Sequence, residues 1–155
     1  WAWAQVPAGT RVPIHWNLQG RADGFASPAV ALSMMPATAV SVLLLMVVLV
    51  RLDPRGGNVR RAGRALDAIA LAMVLFSAVI HGVVVAAAFG RQLPVATVVP
   101  VTCGVLFAYL GNLLPRLDSN FSVGIRTPWT LSSERSWRQT HRLGGRLMFG
   151  AGVLT

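Results

Sequence analysis

The stretch SVLLLMVVLV, residues 41–50, carries one hydroxyl and no charge, and it sits inside a run, residues 25–50, that is uncharged throughout. Two further uncharged or nearly uncharged runs follow, residues 68–90 and 92–115. Each exceeds the roughly 20 helical residues needed to cross about 30 Å of hydrocarbon. In lipid the backbone must bond to itself, so these runs are expected to be helices despite their Val and Thr content. Composition agrees: 54% of the 155 residues are hydrophobic and 12% are charged, about half the roughly 25% charge usual in soluble domains. That excludes an ordinary cytosolic enzyme, a disordered segment and a coiled coil. The expected class is an all-α integral membrane protein: a small polytopic helical bundle with an outer N-terminal loop and a cytoplasmic Arg/Trp-rich interfacial helix.

Charge sets the orientation. The net charge is +9, all of the basic residues being arginine. Arginines 51, 55, 60, 61 and 64 stand against Asp53 in one loop, and arginines 116, 126, 135, 138, 142 and 146 against Asp118 and Glu134 in another. The hairpin between the second and third runs holds only Arg91. Excess positive charge stays in the cytoplasm, so both arginine-rich loops lie inside, and the N-terminal segment and the GRQLP turn lie outside. Clustering between apolar runs, rather than on one aromatic-bearing face, argues against direct nucleic-acid binding. The expected organisation is the end of a preceding span plus an extracytoplasmic loop over 1–27, a span over 28–50, an arginine-rich loop over 51–64, spans over 65–90 and 91–115, a cytoplasmic segment over 116–145, and the start of a truncated span over 146–155. Pro36 and Pro100 fall inside spans, where they can kink a helix. Ala70, Ala72, Ala86, Ala87, Ala88, Gly104, Ala108 and Gly111 allow close helix approach. A lone Cys103 in an apolar run reads as a small buried hydrophobe, and neither a disulfide nor a metal quartet can be built.

Three places carry chemistry-bearing residues. In the outer segment PIHWNLQGRADGFASP, residues 13–28, Arg21-Ala22-Asp23-Gly24 reads as a turn with Asp23 capping and Gly24 at positive φ. His15 and Asn17 share a face only if their piece is extended. Trp3, His15 and Trp16 suit an aromatic belt; alternatively His15, Asn17 and Asp23 form a polar binding site. His81 lies in mid-span, a functional hypothesis for an ionisable group, although a neutral imidazole can simply bond a neighbouring helix. The third place is GNLLPRLDSNFSVGIRTPWTLSSERSWRQTHRLGG, residues 111–145. Thr127-Pro128 pre-sets a helix start. Thr130 or Ser132 is expected to cap the helix that follows, with Glu134 in its first turn. Glu134, Trp137, His141 and Gly144 then line one stripe, beside Arg135, Arg138 and Arg142. Such a helix suits an anionic membrane face, yet Thr-Pro-Trp-Thr and Thr-His-Arg are more particular than anchoring requires.

These residues resemble a family. GN-x-L-P (Gly111 to Pro115), N-F-x-x-G-I-R-T-P-W-T-L-S-S-E (Asn120 to Glu134) and W-R-x-T-H-R-L-G-G (Trp137 to Gly145) are similar to the signature of SdpI-type membrane proteins. P-I-H-W-N-x-x-G-x-x-D-G (Pro13 to Gly24) resembles the uncharacterised N-terminal module that often precedes it. Related proteins continue through further spans where this chain stops. The resemblance implies a multi-pass protein of the bacterial cytoplasmic membrane that protects its cell from a secreted toxic peptide, and that holds a small DNA-binding repressor of the ArsR type at the membrane once toxin is bound. On that reading Arg126, Thr127, Pro128, Trp129, Thr130, Trp137, Thr140 and His141 bind a partner inside, while His15, Asn17 and Asp23 meet a ligand outside. No cofactor or metal is called for. The alternatives are an accessory subunit of a larger membrane complex, and a small transporter or channel resting on His81. An enzyme lacks support: there is no HExxH, no GxSxG and no paired carboxylates.

Overall fold

A computed structural model describes residues 2–155, with side chains from residue 4 onward; the Trp3 side chain, assigned above to an aromatic belt, lies outside the described residues. The chain forms two compact units, Trp1–Ser41 with Val74–Thr102, and Val42–Met73 with Cys103–Thr155.

The first unit contains α1 (Ala2–Gln5), a hairpin of β1 (Val12–Trp16) and β2 (Ala22–Ala26), the start of α2 (Pro28–Arg51), the end of α4 (Gly63–Ala88) and the start of α5 (Val95–Leu113). The hairpin replaces the expected loop, and its turn is not Arg-Ala-Asp-Gly. Asn17 Oδ1 accepts the Gln19 and Arg21 N–H groups, each at 3.0 Å, and Gly20 supplies φ 73°. An Asn side chain that closes its own turn outcompetes the downstream Asp-Gly. Asp23 and Gly24 consequently enter β2. Gly24 pairs with His15, where a Cβ would stand 2.8 Å from the His15 Cβ. Its glycine serves close approach rather than positive φ. Val6, Val12, Ala31 and Val84 form the buried core, with Ile14 and Trp16 packed against it. Arg11 lies over the Phe25 ring at 5.3 Å.

The second unit contains the end of α2, α3 (Gly56–Arg61), the start of α4, the end of α5 with a 3-10 turn (Leu114–Arg116), α6 (Pro128–Ser132) and α7 (Glu134–Leu154). Val59, Ala62, Ala65, Leu66, Leu117 and Trp137 are its apolar core. Helices α5 and α7 meet through two glycine pairs one heptad apart. A Cβ on Gly111 would lie 2.6 Å from the Gly145 carbonyl oxygen, and one on Gly152 would lie 2.4 Å from the Gly104 carbonyl oxygen. Without side chains between them the two backbones touch, the small-residue packing by which helices associate in lipid. Gly104 and Gly111 are among the small residues picked out above; their partners Gly145 and Gly152 are not.

Among the described residues, three helices are long and apolar enough to cross a membrane: Pro28–Arg51, Gly63–Ala88 and Val95–Arg116. Leu44, Leu45, Leu71, Leu75 and Val105 on them are exposed, which in water would be an aggregation surface and in lipid is the ordinary outward face. The protein is a mostly helical membrane protein. Pro36 and Pro100 fall inside α2 and α5. Cys103 is half-buried and free. The buried His81 Nδ1 has no hydrogen-bond partner among the described residues.

Candidate functional site

In the second unit the chain between α5 and α7 has almost no regular structure until Pro128, so its order must come from side chains. Asn120 is fully buried and begins the work: its Oδ1 accepts the N–H groups of Ser122 and Val123 at 2.8 and 2.7 Å, and its Nδ2 donates to the Asp118 carbonyl at 2.8 Å. The expected turn at residues 118–120 therefore extends to residue 123, wound about one amide.

The loop at residues 51–64 clamps that turn. Asp53 accepts from the Arg55 and Phe121 N–H groups, each at 2.8 Å, and from the Ser122 hydroxyl. Burial raises the pKa of the Asp53 carboxyl, but the Ser122 hydroxyl and the backbone N–H groups outweigh it, and the net direction is down. The Arg55 guanidinium donates to Ser119 Oγ and to the Leu131 carbonyl, and lies 4.9 Å above the Phe121 ring. Asn58 Nδ2 donates to the Ser119 carbonyl at 2.6 Å, and Arg61 pairs with Asp118 at 3.0 Å. Two segments 57 or more residues apart are thus joined by polar bonds beside their shared apolar core.

From the other side α7 supports the same segment. Trp137 is fully buried and donates from Nε1 to the Leu117 carbonyl at 2.7 Å. His141 stacks on it, with ring centroids 3.9 Å apart. His141 Nδ1 lies 2.9 Å from the Trp137 carbonyl oxygen, and Nε2 lies 3.0 Å from the Ile125 nitrogen. A carbonyl only accepts and an amide N–H only donates, so the proton is on Nδ1 and the ring is neutral. Burial pushes the His141 pKa down, and the bond to the Trp137 carbonyl offsets this only in part. Gly124, at φ 124°, passes so close that a Cβ would stand 2.5 Å from His141 Nε2.

The following helices are capped one at a time. Thr127 and Thr130 form a reciprocal capping box on α6, with Pro128 in its first turn. Neither Thr130 nor Ser132 caps α7: Ser133 does, accepting from Ser136 N–H at 3.3 Å. The one-turn α6 ends at Ser132 because Ser133 is extended, which makes Ser133 the free cap. Helix α7 then runs unbroken from Glu134 to Leu154.

The candidate residues of this segment therefore separate into two sets. Thr130, Trp137 and His141 are buried, and Thr127 is half-buried; they build the segment. Arg126, Pro128 and Trp129 are exposed, Trp129 by 62%. Trp137 faces the core and not a membrane surface; Arg135, Arg138 and Arg142 lie on the exposed side of the first half of α7, and Leu143, Leu147, Phe149 and Val153 on that of the second. Glu134, placed on the Trp137 stripe above, is exposed and lies 3.7 Å from Arg138. Thr140 is half-buried. In the first unit His15 Nδ1 and Asp23 Oδ1 are 2.6 Å apart across the hairpin, both exposed, while Asn17 serves the turn. Asp53, Arg55, Asn58 and Ser119 escaped the sequence reading as site residues. The one available signal was an acidic residue followed by Pro within a run of arginines.

Residues 116–155 match the SdpI/YfhL protein family, and residues 1–40 match a domain of unknown function, DUF1648. Over residues 116–155 the chain is similar to SdpI-type proteins. It is similar to the immunity protein SdpI of Bacillus subtilis (strain 168), with 25% identity over 65 residues, covering 42% of this chain and 31% of that relative. The chain thus spans about a third of the length of the relative it matches. No solved structure matches it. The SdpI/YfhL match takes in Asn120, Gly124, Thr127, Thr130, Trp137 and His141, the residues that order the segment.

Proposed function

We propose that this chain is a non-catalytic immunity protein of the bacterial cytoplasmic membrane. A secreted toxic peptide meets the outer hairpin around His15, Asn17 and Asp23. The segment from residue 116 to 145 faces the cytoplasm and presents Arg126, Pro128 and Trp129 to a partner, for which a small ArsR-type repressor is the candidate. The observation that carries this reading is the Asn120–Asp53–His141 network. It orders an otherwise irregular segment and leaves a cationic and an aromatic side chain exposed on it. Preorganised Arg and Trp are the residue types that anchor protein interfaces. Coupling between the outer and inner faces requires two states of the helix packing with different affinity for the peptide.

A deletion strain challenged with peptides secreted by its own species tests the reading. Lysis is expected, with rescue by the wild-type gene. The double variant Arg126→Ala/Trp129→Ala is expected to lose partner capture. Unchanged survival of the deletion strain, together with loss of a membrane complex, would instead make the chain an accessory subunit. Immunity and capture that both persist in the double variant would remove Arg126 and Trp129 from the mechanism.

A further inference from the structure

A cavity of about 440 Å³ opens in the first unit, within the roughly 300–1,000 Å³ range of small-molecule sites. Its walls divide by chemistry. Val83, Ala87 and Val95 are apolar and come from the end of α4 and the start of α5; Trp16, Arg21 and Arg91 bring an indole and two guanidiniums. Neither guanidinium has a hydrogen bond or an ion pair among the described residues. Both arginines are fixed through their backbones. Arg21 N–H is held at 3.0 Å by Asn17 Oδ1, and the Gly20 beside it rests against Ala96, where a Cβ would be 3.1 Å from the Ala96 Cβ. Arg91 closes the C-terminus of α4: its N–H donates to the Ala86 carbonyl and the Gly90 N–H to the Ala87 carbonyl, each at 2.9 Å, with Gly90 at φ 72°. That bond pair is a Schellman motif, whose residue at Arg91's position often makes an apolar contact back to the helix; here it carries a charge.

Helices α4 and α5 are both able to span a membrane, so the turn joining them, residues 89–94, lies where hydrocarbon gives way to headgroups. An apolar wall leading up to two unpaired cations and a Trp at that depth fits a molecule with an acyl tail and an anionic head. We infer that this cavity binds an anionic phospholipid, its phosphate between Arg21 and Arg91 and an acyl chain against Val83 and Ala87. The site does not depend on immunity or on any peptide.

The test is native mass spectrometry of the full chain in detergent, titrated with short-chain phosphatidylglycerol, phosphatidylcholine of the same chain length, or glycerol phosphate. Wild type retains phosphatidylglycerol over phosphatidylcholine, and glycerol phosphate does not displace it. Arg21→Gln/Arg91→Gln binds phosphatidylglycerol about tenfold more weakly. Ala87→Leu also weakens it while both cations remain, which separates the cavity from mere surface charge. Equal binding of the two lipids, or unchanged binding in the double variant, overturns the inference. Displacement by glycerol phosphate alone makes this a free-phosphate site and overturns the lipid assignment.

Discussion

His15 and His141 each place ring nitrogens in hydrogen bonds, and the two have opposite surroundings. His15 meets Asp23 at 2.6 Å on an exposed hairpin, where water competes for both partners. His141 is 1% exposed, stacked on Trp137, and bonded on both ring nitrogens to backbone. The first contact is replaceable by solvent; the second is not, because breaking it strands buried polar groups. Stability should therefore be concentrated in the segment around His141, and the hairpin should tolerate change. A residue's type says little about its role until its access to water is known.

The comparison breaks most sharply at Gly124. Gly124→Ala forces a side chain into a left-handed backbone and against the His141 ring, and should cost about 3 kcal/mol or more, read as lost thermal stability in detergent. Retained stability would mean the turn does not pass His141 as described. Asp53→Asn keeps the shape but leaves the Ser122 hydroxyl and two backbone N–H groups facing a neutral amide. A loss of about 1.5–3 kcal/mol is expected from weakened charge-assisted bonds.

Acid should act through His141. Its pKa is lowered in the folded protein, so the unfolded chain takes up a proton first. The stabilisation is complete above about pH 6.5 and declines as pH falls below that value toward the folded pKa. Melting curves from neutral pH downward should show the decline, and His141→Gln should remove this component; an identical slope in the variant would assign the effect elsewhere. The smallest change is expected at the hairpin, where Asp23→Asn should shift stability by less than about 0.5 kcal/mol. A loss as large as that of Asp53→Asn would erase the contrast between the two regions.

The spans were legible because a run of some twenty uncharged residues has few other fates. The hairpin was not. Pro13 and the Asp23-Gly24 pair read as breakers, and only the competition between two turns, won by Asn17 and Gly20, makes strands of them. The fully buried Trp137 was also misleading, since an Arg/Trp-rich stretch reads as a membrane-surface helix until the Leu117 carbonyl is found at its indole nitrogen. Asp53 was invisible as a site residue because its partners lie 68 and 69 positions away at Phe121 and Ser122. Local patterns show caps and turns; they do not show which distant loop a carboxylate will clamp. Ser133 was missed at shorter range, since nothing before Pro128 announces that α6 is a single turn.

Cysteine labelling of intact cells and inverted vesicles, in a Cys103→Ser background, tests most directly that an ordered, buried-polar segment faces the cytoplasm. Leu18→Cys, at the 96% exposed hairpin tip, should react with an impermeant maleimide only on intact cells. Trp129→Cys should react only on inverted vesicles, and Ser122→Cys on neither until denaturant is added. Labelling of Trp129→Cys from outside intact cells, or of Ser122→Cys as readily as Trp129→Cys, would contradict the topology and the buried network respectively.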